Sequence, residues 1–115
     1  MKKERQTTGY LNDILYAISK VDEFTGGLTY EQFIEDEKTQ FAVIRAIEVI
    51  GEATKNIPDI IKASHTSVPW RNISGMRDKL IHAYFGIDMD ILWKTVTKEV
   101  PVIEPKIRQI LDELK

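Results

Sequence analysis

The segment from Asp36 to Ile57 constrains the fold more than any other. Phe41, Ala42, Val43, Ile44, Ala46, Ile47, Val49, Ile50 and Ala53 leave few polar positions in a run that stops ahead of Pro58. The residue before a proline is steered away from helical geometry, so the predicted helix ends at Ile57. A helix this apolar must be buried on most sides. Its polar residues Arg45, Glu48 and Glu52 recur at i, i+3 and i+7 and fall on one stripe. Such a stripe faces a cleft, a partner or a paired network. Simple pairing of Arg45 with Glu48 along the helix is the other reading. Gly51 sits inside the same helix, where it costs roughly 1 kcal/mol relative to alanine, and it points to close approach of another helix.

The rest of the chain also reads as helix. Leu11, Ile14, Leu15, Ile18 and Val21 carry the 3.6-residue period over residues 8–22, with Thr7 or Thr8 as the cap. Gly26-Gly27 closes the following connection, and Thr29-x-x-Gln32 is a capping box that opens a short helix. Pro58 to Ser67 reads as a helical turn and loop, and Pro69-Trp70 opens another turn. A further helix begins at Ser74 or Gly75 and ends at Gly86, the expected left-handed cap. Asp88 caps a last region bearing Ile91, Leu92, Val96, Val100, Ile103, Ile107, Ile110, Leu111 and Leu114, which Pro101 and Pro105 should break or kink. There is no alternating strand pattern and no internal repeat. The expectation is all-α: a bundle of four or five helices forming one domain over residues 1–115.

Composition narrows the function. The 115 residues carry a net charge of −2, which argues against coating nucleic acid by bulk electrostatics. Charge is unevenly spread, however. Lys55, Lys62, Arg71, Arg77 and Lys79 face only Asp59 and Asp78 between residues 55 and 82. The absence of cysteine excludes disulfides and thiolate zinc sites and suits a cytoplasmic protein. No apolar run approaches the roughly 18 residues of a membrane span, and the charged start Met1-Lys2-Lys3-Glu4-Arg5 lacks a signal-peptide core.

Several chemistries are missing. There is no P-loop, no dinucleotide-binding glycine fingerprint and no His-x3-His pair. With His65 and His82 as the only histidines, neither a metal nor an organic cofactor is expected. His82 stands out by its neighbours. On one continuous helix Asp78 would share its face, four residues earlier, and could orient the imidazole. Arg77, five residues earlier, would lie about 140° around the helix and would align instead with Tyr84. A site using both Arg77 and His82 therefore needs the arginine to sweep around the helix, or a second subunit to supply the missing half.

The run Trp70-Arg71-Asn72-Ile73-Ser74-Gly75-Met76-Arg77-Asp78-Lys79-Leu80-Ile81-His82-Ala83-Tyr84-Phe85-Gly86-Ile87-Asp88 closely resembles the HepT-like branch of the HEPN superfamily. Arg45 to Ala53 resembles that branch's long central helix. The resemblance implies a HEPN-type helical bundle that dimerises and places two Arg-x4-His motifs in one cleft. It implies a metal-independent endoribonuclease toxin with Arg77 and His82 as the catalytic pair. Asp78 is the motif's polar residue, and Glu48 and Glu52 are expected either to hold Arg77 or to cross the dimer interface. It further implies an MntA-type nucleotidyltransferase antitoxin that transfers AMP to Tyr84.

RNA supplies its own nucleophile, the 2′-hydroxyl. His82 would move protons and Arg77 would stabilise the phosphate's added charge, leaving a 2′,3′-cyclic phosphate and a 5′-hydroxyl. The alternative is a non-catalytic helical dimer that binds a nucleotidyltransferase or nucleic acid, with Arg77 only holding phosphate. His65 reads as a loop residue. Trp70 and Trp93 read as core anchors rather than base-stacking platforms.

Overall fold

A computed structural model describes residues 2–82 and 86–114, with side chains for 7–80 and 86–114. Helix α1 spans Lys2–Thr25, α2 Tyr30–Ile34, α3 Glu37–Lys55, α4 Asp59–Ser64, α5 Trp70–Ser74 and α6 Met76–Leu80. Two short strands follow, β1 (Ile81–His82) and β2 (Gly86–Ile87), then α7 (Met89–Lys94), a π-helical turn over Thr95–Glu99, and α8 (Val100–Leu114). Three long rods carry the fold: α1, α3, and the run from α7 through the π turn into α8. Helix α1 packs along both α3 and α8.

The apolar stripes explain that packing. Leu11, Ile14, Ile18 and Val21 of α1 are buried against Val43, Ile47 and Ile50 of α3 and against Val100, Ile103, Ile107 and Ile110 of α8 in one core. Each burial of a Leu, Ile or Val side chain contributes about 1.5–3 kcal/mol. Polar groups inside are satisfied locally. Thr25 and Thr54 donate their hydroxyls to the carbonyls of Val21 and Ile50.

Caps set several boundaries. Thr29 and Gln32 form the reciprocal capping box at α2, seating the buried Phe33 against Trp93 with ring centroids 5.0 Å apart. Asp36 caps α3 by accepting from the backbone and hydroxyl of Thr39, and those bonds hold its carboxyl below the ordinary value. The hydroxyl of Tyr30 donates to Asp90, tying α2 to α7. Asp88 caps α7 by accepting from the N–H of Ile91.

The structure departs from the sequence reading at five places. Helix α1 starts at Lys2, so Thr7 and Thr8 lie inside it rather than capping it. Phe41 is 70 % exposed, so the apolar run of α3 is not all turned inward. The helix expected to run to Gly86 ends at Leu80. A short ladder replaces its second half, with Ile81 opposite Ile87 and His82 opposite Gly86. The N–H of Asp88 donates to the Leu80 carbonyl at 2.9 Å, so a distant residue takes the acceptor that Leu80 would offer a continuing helix. Gly86 therefore sits in a strand and caps nothing. Finally, neither Pro101 nor Pro105 ends the last rod. The π turn precedes Pro101, whose missing N–H falls where the ladder is already widened, and Pro105 lies within α8.

Candidate active site

Gly51 positions this site. A Cβ built on it would stand 3.4 Å from the Ser74 carbonyl oxygen and 3.7 Å from that of Ile73. The end of α5 therefore lies directly against the middle of α3. Gly75 alone separates α5 from α6, so the first turn of α6 is brought over the polar stripe of α3.

There the Nε of Arg77 donates to Glu48 Oε2 at 2.9 Å. The other oxygen of Glu48 stands 3.7 Å from Nη1 of Arg45. One carboxylate thus spans two guanidiniums, from its own helix and from α6. Asp78 Oδ1 lies 3.9 Å from Arg77 Nη1, and Glu52 Oε1 lies 3.9 Å from Lys55 Nζ. The side chain of Arg77 is 50 % exposed and that of Glu48 32 %, so solvent screens the pair. Such a pair contributes about 0–1 kcal/mol to stability. Its effect is orientational. Glu48 occupies the Nε donor and fixes the plane of the guanidinium, whose remaining N–H groups suit an anion.

These residues border a cleft of about 520 Å³. Arg45, Glu48 and Glu52 enter from α3, Ser74 from the end of α5, and Arg77 and Asp78 from α6. The polar stripe therefore faces a cleft and also pairs within the helix, so both readings of it hold together. Sequence reasoning missed the contribution of α1, which adds Tyr10 and Asp13. Their only signal was position, at the polar edge of the α1 stripe. Of the basic residues between 55 and 82, Lys55 and Arg77 line the cleft among the described residues, while Arg71 and Lys79 are exposed elsewhere.

The site is assembled differently from a single helix face. Asp78 lies on α6 and His82 on β1, so the one-face relation expected between them does not hold. The alignment expected between Arg77 and Tyr84 falls on a residue outside those described. The side chain of His82 and the whole of Tyr84 lie outside the described residues. Arg77, Asp78, Glu48 and Glu52 are brought to one cleft.

The second histidine belongs to another part of the fold. His65 ends α4, with Nδ1 3.1 Å from the Ile61 carbonyl and Nε2 2.9 Å from Glu113 Oε1 on α8. The bond to Glu113, and then the bond to Ile61, push its pKa up, while the same contact pulls Glu113 down. Trp70 donates its indole N–H toward the carbonyls of Lys62 and His65, and Lys106 donates to the Ser67 carbonyl. These contacts strap the α4–α5 connection to α8. Trp93 packs against Phe33 and Tyr30.

Comparison with known proteins identifies relatives of the chain. A family model described as "Ribonuclease HepT-like" matches residues 14–110. The chain is 51 % identical over 107 residues to "Probable ribonuclease HepT" of Thermococcus cleftensis, covering 93 % of this chain and 97 % of that protein. It is 42 % identical over 106 residues to a "Putative RNase" of Caldanaerobacter subterraneus, covering 92 % and 95 %. No solved structure matches the chain significantly.

Proposed function

The chain belongs to the HepT-like ribonuclease family, and from that premise we propose that it is the metal-independent endoribonuclease toxin of a toxin–antitoxin pair. The observation that carries this reading is Arg77, held by Glu48 at the rim of a cleft and five residues ahead of His82. Arg77 binds the scissile phosphate and stabilises the charge that builds on it. His82 acts as general acid or base, contributing typically ~10²–10⁴-fold. The 2′-oxygen attacks phosphorus, the bond to the 5′-oxygen breaks, and that oxygen leaves as a hydroxyl after gaining a proton. The products are a 2′,3′-cyclic phosphate and a 5′-hydroxyl.

The working unit is a homodimer of single-domain subunits in the cytoplasm, with two Arg77–His82 pairs sharing one cleft. One histidine then takes a proton while the other gives one. The antitoxin is an MntA-type nucleotidyltransferase. It transfers AMP from ATP to the Tyr84 hydroxyl and releases pyrophosphate. The added phosphate brings negative charge to the motif segment and competes with substrate for Arg77.

The test is cleavage of an RNA strand and its all-deoxy counterpart, with chelator present. Wild type cuts only the RNA, His82→Ala binds it without cutting, and Arg77→Ala binds it more weakly and does not cut it. Cleavage of the deoxy strand, a requirement for added metal, or full activity in His82→Ala defeats the reading. Incubation with the nucleotidyltransferase and ATP adds one or more AMP masses to wild type and none to Tyr84→Phe.

A further inference from the structure

The cleft is poorly suited to binding phosphates alone. Among the described residues it carries three cations, Arg45, Lys55 and Arg77, against four carboxylates, Asp13, Glu48, Glu52 and Asp78. A groove that tracks an RNA backbone by charge is basic along its course. Here two guanidiniums gather on Glu48 and Asp78 also lies 3.9 Å from Arg77, so these charges are matched and the solvent-facing N–H groups of Arg77 remain for one phosphodiester. Glu52 follows Glu48 along α3 by about one helical turn of ~5.4 Å, and α1 adds Tyr10 and Asp13 to the same cavity. A neighbouring phosphate would be repelled by these carboxylates. Hydrogen-bond donors on a base edge would not.

We propose that Tyr10, Asp13 and Glu52 form a nucleobase subsite that selects guanine beside the phosphate held by Arg77. This rests on the ribonuclease reading and deepens it. Guanine presents two neighbouring donors, N1–H and the N2 amino group, which match the two oxygens of one carboxylate. Adenine and cytosine each place a ring-nitrogen acceptor beside their amino group, and uracil flanks its single N–H with two carbonyls. Each of these sets a lone pair against the second carboxylate oxygen. Glu52 is well placed for the task because it is exposed and its contact with Lys55 is loose at 3.9 Å. Tyr10 packs partly against the core, and the part of it that lines the cleft is an apolar surface that accepts any base, so discrimination falls to the carboxylates. The volume of about 520 Å³ falls within the range of small-ligand sites.

The probe is a pair of nucleotides that differ only in the N2 amino group. Guanosine and inosine monophosphate, with AMP, CMP and UMP, are titrated into the full chain by isothermal calorimetry. GMP binds roughly 10-fold tighter than IMP, and the other nucleotides bind more weakly than GMP. Glu52→Gln, an exposed substitution that leaves the core intact, levels GMP and IMP. Arg77→Ala weakens all nucleotides while preserving their order. Equal affinity for GMP and IMP in wild type, or an unchanged ratio in Glu52→Gln, overturns the subsite. Sequencing of cut sites in a random RNA pool provides the second arm. Wild type enriches guanine beside the cut and Glu52→Gln flattens the distribution. If GMP is selected but no RNA is cut, the ribonuclease reading fails and the subsite stands. If RNA is cut with no base preference and GMP equals IMP, the subsite fails and the ribonuclease reading stands.

Discussion

Glu48 and Arg77 are 29 residues apart in the chain and 2.9 Å apart through Oε2 and Nε. Helix α3 is anchored in the core by Val43, Ile47 and Ile50, so the arginine takes its direction from the best-buried part of the fold. Removing the carboxylate frees a long side chain without disturbing that core. Glu48→Ala should lower kcat on RNA by about 10²-fold, the usual effect of misplacing a catalytic group by ~1 Å. Glu48→Gln, which keeps one acceptor oxygen, should recover part of the loss. Unfolding midpoints of both variants should stay within a few degrees of wild type. An unchanged kcat in Glu48→Ala would rule out a positioning role.

Gly51 gives a less obvious expectation. The distance from its built Cβ to the Ser74 carbonyl, 3.4 Å, is ordinary van der Waals contact. Alanine fits without displacement and improves helix propensity. Gly51→Ala should raise unfolding free energy by up to about 1 kcal/mol in urea titrations. Gly51→Leu should cost about 1–3 kcal/mol by overpacking and should reduce RNA cleavage, because it drives the end of α5 away from α3. Loss of stability in the alanine variant would mean that the contact is tighter than its geometry.

The His65–Glu113 pair predicts a pH optimum for stability. His65 has a raised pKa in the folded chain, first through Glu113 and then through Ile61. Its contribution is fully present below its unfolded value near 6.5 and is lost as pH climbs through the raised folded value. Glu113 has a lowered pKa, chiefly through His65, so its contribution is present above about 4.5 and is lost as pH falls through the folded value. Between those limits both charges are in place. Thermal melts should therefore show a midpoint highest near pH 5–6 that declines toward pH 9. His65→Gln should flatten the alkaline decline. A variant with the same pH profile as wild type would exclude the pair as its source.

Thr29 caps the short helix that carries Phe33. Substitution by alanine removes the acceptor for the Gln32 N–H. Thr29→Ala should cost about 1 kcal/mol, read from urea midpoints at unchanged slope. Activity should be unaffected, since α2 contributes nothing to the cleft among the described residues.

Features set by local pattern were legible in the sequence. The stripes at Leu11–Val21 and Val43–Ile50, the capping box at Thr29 and the cap at Asp88 all follow from periodicity or from neighbours three residues apart. The polar stripe on α3 was legible as a line of three polar residues on an apolar helix, and the structure shows it both lining a cleft and pairing within the helix. The end of α6 was not legible. Its five residues form too short a helix to resist competition, and the deciding backbone bond comes from Asp88, eight residues on. The start of α1 was missed because Lys2 to Arg5 give no apolar period. Tyr10 and Asp13 join the cleft through the packing of α1 on α3, which residue spacing within α1 cannot report.

The ladder that replaces the second half of the motif helix sets a register. Ile81 faces Ile87 and His82 faces Gly86, so backbone pairing rather than helix geometry sets the place of His82 in the chain path. A one-residue slip of that pairing would exchange the two sides of the strand. Arg77, secured from α3, would be indifferent to that change. The two halves of the motif are therefore held by separate means: the arginine by a side-chain bond to α3, and the histidine's backbone by pairing with Gly86.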